Sequence, residues 1–191
     1  MSVAAENAVT VQNLLAAFEG ESNAAAKYTA FAGKADQDGL HGAASLFRAA
    51  ARAEQIHAAN HARVIKQLGG EATCEIHAVE VKTSIENLKA ALGGEQYEIV
   101  TMYPGFLAEA TTRNNTAAIR TFTYALEAEK THARLYGEAI ALLQSGKLDS
   151  WIGAARDFYV CPVCGYTSEN EEEHERCPVC NALWEKFEIV R

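Results

Sequence analysis

Two Glu-x-x-His pairs, Glu54/His57 and Glu129/His132, and two Cys-x-x-Cys pairs, Cys161/Cys164 and Cys177/Cys180, are the residues of this chain whose types and spacing could do chemistry. On a helix, an i, i+3 step puts a carboxylate and an imidazole on one face about one turn apart, where both can meet the same ion. A single such pair is most often solvated surface. Here the pairs interrupt apolar seams instead. Leu46, Ala50, Glu54, His57, His61, Val64 and Leu68 trace one helical stripe, and Ile119, Phe122, Leu126, Glu129, His132, Tyr136, Ile140 and Leu143 trace another. Two further seams carry carboxylates at the same kind of step: Leu14, Phe18, Glu21, Ala25, Tyr28, and Leu88, Leu92, Glu95, Glu98, Met102. An ionised carboxylate buried alone is costly enough to protonate instead. Glu21, Glu54, Glu95, Glu98 and Glu129 facing one another call for cations among them. With a Glu from each of the other two helices, the pairs make the ligand set of di-iron or di-manganese carboxylate bundles.

Cys161, Cys164, Cys177 and Cys180 form two knuckles separated by twelve residues, a spacing that holds one tetrahedral zinc or iron. From the module alone, structural zinc and redox iron stand level. Pro162 and Pro178 stiffen the knuckles, while Gly165 and Asn181 tolerate the left-handed backbone that turns amides toward sulfur. Tyr166, Trp184 and Phe187 supply a small core.

These residues must be positioned by long helices. The chain has 191 residues, 49% hydrophobic, with three prolines and a formal net charge of −8. That charge argues against nucleic acid or an anionic membrane as partner. The start, "MSVAAENAVTVQ", has neither a basic nor an apolar leader region, and no apolar run approaches the ~18 residues of a membrane span, so a soluble cytoplasmic protein is expected. Helical periods run over about Val11–Asp36, stopping near Gly39, and over His41–Leu68, ending on Gly69-Gly70. After a polar crossover, a third begins at the capping box Thr83-Ser84-Ile85-Glu86 and runs to about Thr112, with Pro104 marking an irregularity. The fourth starts after Asn114-Asn115 and ends near Gly146. The expected architecture is an all-α four-helix bundle over 1–146, a linker over 147–158 and a small metal-binding β domain over 159–191.

Together the two halves resemble rubrerythrin, on "FEGES", "EQIH", "GGEQYEIVTMYP" and "EAEKTH" in the four helices and "CPVCG" and "CPVCNALWEKFE" in the tail. The resemblance covers essentially the whole chain. It implies a ferritin-like di-iron bundle with a rubredoxin-like domain, two irons bound by Glu21, Glu54, Glu95, Glu98, Glu129 and His132, and a third iron, rather than zinc, on the four cysteines. It further implies that Glu54 and Glu129 bridge, and that Glu98 and His57 exchange on one iron between redox states. Tyr28 and Tyr103 would hydrogen-bond ligand carboxylates. The implied activity is two-electron reduction of hydrogen peroxide to water in oxidative-stress defence. Electrons would come from an external donor, a reductase or rubredoxin linked to NAD(P)H, through the rubredoxin-like iron. A head-to-tail homodimer would let one subunit's cysteine iron serve the other's di-iron site. Two alternatives share the scaffold: a ferritin-like iron-storage protein and an oxygen-reducing oxidase.

Other residues read more plainly. His61 is expected as a hydrogen-bonded core histidine, Cys74 as a free thiol, and Glu169 to Glu175 as a solvated loop or a steering patch for a basic partner. His41, His77 and His174 show no ligand spacing. Gly93-Gly94 either permits close packing or leaves room for a small molecule.

Overall fold

The computed structural model describes residues 3–145, 153–170 and 175–191. Helix α1 spans Val3–Gln37 and α2 His41–Gln67, joined by a turn in which Gly39 takes φ +72. The third rod has three parts: α3, Ser84–Tyr97; a π-helical turn, Glu98–Met102; and α4, Tyr103–Thr112. Helix α5 spans Thr116–Gln144. Strands β1 (Phe158–Val160), β2 (Thr167–Ser168) and β3 (Glu188–Val190) form one antiparallel sheet in the order β2-β1-β3, with Val160 opposite Thr167 and Glu188.

Local chemistry sets the ends. The Thr83 side chain accepts from the Glu86 N–H while the Glu86 carboxylate accepts from the Thr83 N–H, the reciprocal capping box. Asn115 caps α5 by accepting from the Ala118 N–H at 3.0 Å. Helix α2 stops where Gly69 adopts φ +82 and Gly70 N–H donates back to the Ile65 carbonyl. Pro104 has no N–H and its ring crowds the carbonyl four residues back, so the rod widens just before it. The Tyr103 N–H accordingly bonds the Glu98 carbonyl, five residues away.

The connection between α2 and α3 is a crossover. Asn23, midway along α1, holds it through Glu75 O and His77 N–H, and Ser84 Oγ donates to Asp38 at the far end of α1. Residues 68–83 thus return the full length of the bundle, so α3 runs parallel to α2. Two apolar clusters fill the bundle. Tyr28, Phe31, Phe47 and Tyr136 pack with ring centroids 5.5–6.5 Å apart at one end. His61, Tyr103, Phe106 and Phe122 pack at the other with centroids 5.4–6.5 Å apart. Truncating one of these rings to Ala costs roughly 3–5 kcal/mol in a close-packed core. The seam carboxylates lie between the clusters.

Helix α1 begins eight residues before the expected Val11, because the alanine-rich start has helix propensity but no apolar seam to announce it. The first half of the expected linker, 147–152, lies outside the described residues, as do the centre of the Glu169–Glu175 run and His174.

Candidate metal centre

Glu21 comes from α1, Glu54 and His57 from α2, Glu95 from α3, and Glu129 and His132 from α5; all are buried at 0–1% exposure. Each sits where its helix would otherwise present Leu or Ala to the core. Their ligand atoms gather in two sets, Glu21/Glu54/His57/Glu129 and Glu54/Glu95/Glu129/His132, each with all atoms within 4.8 Å of one another. Glu54 and Glu129 belong to both. His57 Nδ1 lies 2.9 Å from Glu54 Oε2, 3.0 Å from Glu129 Oε1 and 3.5 Å from Glu21 Oε1. His132 Nδ1 lies 2.8 Å from Glu129 Oε2, 3.6 Å from Glu54 Oε1 and 3.8 Å from Glu95 Oε2.

The donor set fits two cations. Glu21 Oε2, both oxygens of Glu54, Glu95 Oε2, Glu129 Oε1 and His57 Nδ1 are buried without a hydrogen-bond partner. Each such orphan costs ~1–3 kcal/mol or more, and six converging on one volume are the lone pairs that two shared ions would take. The electrostatics agree. Burial and the charges of Glu129, Glu21 and Glu95 hold the Glu54 carboxyl well above its usual range. Burial and Glu129 push Glu95 up to about 7. For Glu129 burial acts upward too, but His57 and His132 outweigh it and its carboxyl falls below the usual range.

Two tyrosines steady the outer carboxylates. Tyr28 Oη donates to Glu95 Oε1 at 2.7 Å, and Tyr103 Oη donates to Glu21 Oε1. Burial, then the nearby carboxylates, raise both phenols well above the ordinary tyrosine value, so both remain donors. Glu98 lies outside both sets. It is half-buried on the π turn, yet close enough that burial and then Glu21, Glu129, Glu95 and Glu54 raise its carboxyl well above the usual range. His57 occupies the position in the first set.

The four cysteines also converge, with Cys161 Sγ 3.5 Å from Cys180 Sγ and Cys164 Sγ 3.5 Å from Cys177 Sγ; all are unbridged. The knuckles close as their residues require: Gly165 and Asn181 take φ +79 and +64, and their N–H groups donate to the Cys161 and Cys177 carbonyls. Sharing of protons among the sulfurs pushes Cys164 up, with burial adding to it, and pulls Cys177 down against burial, the unequal sharing that one cation would relieve.

The module sits directly on the bundle site of its own chain. His57 Nε2 lies 3.0 Å from the Cys164 carbonyl oxygen, and His132 Nε2 lies 3.1 Å from Thr167 Oγ1. A Cβ on Gly165 would fall 2.3 Å from His57 Nε2, so only glycine allows this approach. Around the contact, Asn60 donates to the Val163 carbonyl at 2.8 Å and Arg52 makes a bidentate pair with Glu188.

The family model for rubrerythrin matches residues 12–140, and the model for the rubrerythrin rubredoxin-like domain matches residues 159–188. The chain belongs to the rubrerythrin family. It is 39% identical to rubrerythrin-2 of Clostridium acetobutylicum over 96% of this chain and 97% of that protein. It is 37% identical to nigerythrin of Nitratidesulfovibrio vulgaris over 90% of this chain and 81% of that one. The solved structure of fully reduced, all-ferrous nigerythrin superposes with a TM-score of 0.82 at 35% identity, over 94% of this chain and 86% of the other. A Desulfovibrio desulfuricans bacterioferritin shares the fold, with a TM-score of 0.71 at 22% identity over 81% and 93% of the two chains. The protein thus has the rubrerythrin combination of a ferritin-like bundle with a di-iron carboxylate site and a rubredoxin-like four-cysteine site. Among the described residues no helix is long and apolar enough to cross a membrane.

Six of the seven bundle residues singled out from the sequence meet in the two sets, and both tyrosines reach ligand carboxylates. What sequence reasoning missed is the company they keep. Thr121 contacts His61, Thr167 contacts His132, and the Tyr136 hydroxyl is buried without a partner in the aromatic cluster near the carboxylates. Each looked like an ordinary seam or strand residue. His61 is buried and hydrogen-bonded, as expected. Cys74 is a half-buried free thiol, and His41 and His77 lie at the surface beside Asp36 and Glu19. Gly93 and Gly94 are not packing glycines: a Cβ meets nothing within 4 Å at Gly93 and only ordinary contacts at Gly94.

Proposed function

We propose that this rubrerythrin reduces hydrogen peroxide to water at the bundle site, with electrons relayed through the four-cysteine site. The observation that carries this is the 3.0 Å contact between the Cys164 carbonyl and His57 Nε2. Each imidazole presents Nδ1 to the carboxylates and Nε2 to the module. Tautomer and role follow: Nε2 is the protonated nitrogen that donates to Cys164 O, and Nδ1 is the free lone pair for metal. A storage protein has no use for such a link, and a structural zinc module would not need to touch a ligand histidine.

When bound, the iron pair supplies the two electrons that cleave the O–O bond, refilled singly from the cysteine iron. The chain's own residues do the rest. Glu54 and Glu129 span the two positions, Glu21 and Glu95 close the outer sides, and Tyr103 and Tyr28 hold those carboxylates in one orientation. The apolar clusters exclude bulk water. Glu98, on the π turn just outside the first set, would exchange with His57 by a small shift of that turn; His57→Ala should then slow oxidation of the reduced centre by peroxide, and an unchanged rate removes the switch.

An external reductase or rubredoxin linked to NAD(P)H is the inferred donor, and a cytoplasmic homodimer the inferred form. The module contact is made within one chain, so head-to-tail pairing is not required for it. Mixing chains lacking Cys161 with chains lacking Glu129 separates the cases: in-chain delivery leaves the mixture inactive, and regained activity means delivery between subunits.

The deciding experiment is anaerobic reduction of the as-purified protein followed by titration with peroxide, watching the visible iron–thiolate bands. Rapid return of the bands with stoichiometric peroxide, faster than with dioxygen, is the expected result. A colourless protein with zinc on the cysteines would defeat the relay. Preference for dioxygen would make the protein an oxidase.

A further inference from the structure

We propose that Thr121, His61 and Tyr103 form a proton relay from a solvent cleft to the Glu21 carboxylate. The cleft, of about 250 Å³, lies between α2, α5 and the first cysteine knuckle, with Arg63, Arg120 and Val163 at its mouth and Thr121 on its floor. Thr121 is 5% exposed and His61 and Tyr103 are fully buried. Thr121 Oγ1 lies 3.0 Å from His61 Nδ1, His61 Nε2 lies 3.1 Å from Tyr103 Oη, and Tyr103 Oη contacts Glu21 Oε1.

Every hydrogen in this array points the same way, and the direction follows from the acceptor at its end. A carboxylate accepts, so the single phenolic hydrogen of Tyr103 goes to Glu21. Tyr103 oxygen must then accept, which makes His61 Nε2 the protonated nitrogen. His61 Nδ1 accepts in turn, from the Thr121 hydroxyl, and Thr121 oxygen is left to accept from cleft water.

One passage moves one proton. A cleft water gives its hydrogen to Thr121 Oγ1 as the Thr121 hydrogen passes to His61 Nδ1. The Nε2 hydrogen passes to Tyr103 Oη, and the phenolic hydrogen passes to Glu21. The hydroxide left in the cleft faces Arg63 and Arg120, neither of which has a carboxylate partner among the described residues. His61 ends as the other neutral tautomer with both hydroxyls turned back toward the cleft, and the array resets when the hydroxyls rotate and His61 exchanges its Nδ1 proton for one at Nε2 by way of water. The proton on Glu21 is then available to an oxygen of reduced peroxide. This inference rests on the peroxide reading, because reduction of peroxide to two waters consumes protons at the site.

The test compares Thr121→Val with Thr121→Ser. Val keeps the shape and removes the hydroxyl; Ser restores it. Expected is a ~10²-fold slower single-turnover oxidation of the reduced protein by peroxide in Thr121→Val, the scale of a lost positioned proton donor. The rate should recover in Thr121→Ser, with the visible bands of the cysteine site and the cobalt(II) spectrum of the bundle site unchanged in both. Nitrogen NMR of the zinc-substituted wild type should show His61 protonated at Nε2. An unchanged rate in Thr121→Val, a slowed rate accompanied by a shifted cobalt spectrum, or an Nδ1-protonated ring overturns the relay. If the wild type does not react with peroxide, that reading falls by itself. The relay is then judged on the tautomer and on proton uptake during reduction, which Thr121→Val must slow for it to stand.

Discussion

The Glu21/His57 half of the bundle site and the Glu95/His132 half use the same parts in unlike surroundings. Each has an outer glutamate held by a tyrosine, an imidazole with Nδ1 inward, and the shared Glu54 and Glu129. Around Glu95, however, the surroundings are apolar: Tyr28 packs among Phe31, Phe47 and Tyr136, and among the described residues His132 hydrogen-bonds the module through the Thr167 hydroxyl. Around Glu21 they are connected. His57 touches a cysteine-knuckle carbonyl, Tyr103 leads through His61 to a cleft, and the Glu21 half has the π turn with Glu98 beside it. On the proposed function and relay, the pseudo-symmetric ligands would divide the work by their connections: one half would hold, and the other would take in electrons, protons and substrate.

The largest effect on this asymmetry should come from Gly165→Ala. The new Cβ would stand 2.3 Å from His57 Nε2, at a backbone φ of +79 that costs an L-residue ~1–2 kcal/mol. His57 is held by the carboxylates, so the knuckle must yield. Stopped-flow spectra should show both sites still loaded, yet peroxide should no longer restore the cysteine bands at the wild-type rate. Gly137→Ala is the control: nothing lies within 4 Å of its Cβ, and a helical Ala should add up to ~1 kcal/mol to stability without touching the rate.

Why the holding parts were legible and the connecting parts were not follows from chain separation. Glu54 and His57, or Cys161 and Cys164, are three apart, and helical or knuckle geometry alone puts them together. The caps at Thr83 and Asn115 and the turn at Gly69 are equally local. The His57 contact with Cys164 joins residues 107 apart, and His61 meets Thr121 across 60. No periodicity encodes such pairs, and a buried threonine on a seam looks like any small core residue. Pro104 announced an irregularity, but the choice of a wide π turn over a kink depends on how the rod packs against α5. That choice leaves Glu98 beside the ligand sets rather than in them.

A middle-sized effect separates the two tyrosines. Tyr28→Phe removes one donor from a buried carboxylate, worth ~1–3 kcal/mol, and breaks no other hydrogen bond among the described residues. Tyr103→Phe removes the same kind of donor from Glu21 and also leaves the His61 Nε2–H without its acceptor. Thermal or urea unfolding should therefore show the larger loss for Tyr103→Phe, and only that variant should slow peroxide turnover. Equal slowing by both would mean that the halves are equivalent after all.

The smallest effect is a pH slope that belongs to one half. After chelation, Glu95 retains a carboxyl at about 7 in the folded chain, against an unfolded value near 4.5. Between those values the folded state holds a proton that the unfolded state has released. Stability is then full below the lower value and is lost as pH rises through the upper one. His57 and His132, whose imidazoles are raised well above their ordinary value by the surrounding carboxylates against the opposing pull of burial, lose stability in the same sense at higher pH. Glu21 is different. Burial and Glu129 push its carboxyl up, but the neighbouring His57 and His61 imidazoles bring it below its usual value, so its contribution is lost only as pH falls. The melting temperature of chelated protein should thus decline from about pH 5 to about pH 8, by the equivalent of on the order of 1–3 kcal/mol, and the metal-loaded protein should show a flatter profile. Glu95→Gln should flatten the part of the chelated profile between about pH 5 and pH 7, whereas Glu21→Gln should leave it in place. If both substitutions flatten that window alike, the carboxylates titrate as one group and the division between the halves is not electrostatic.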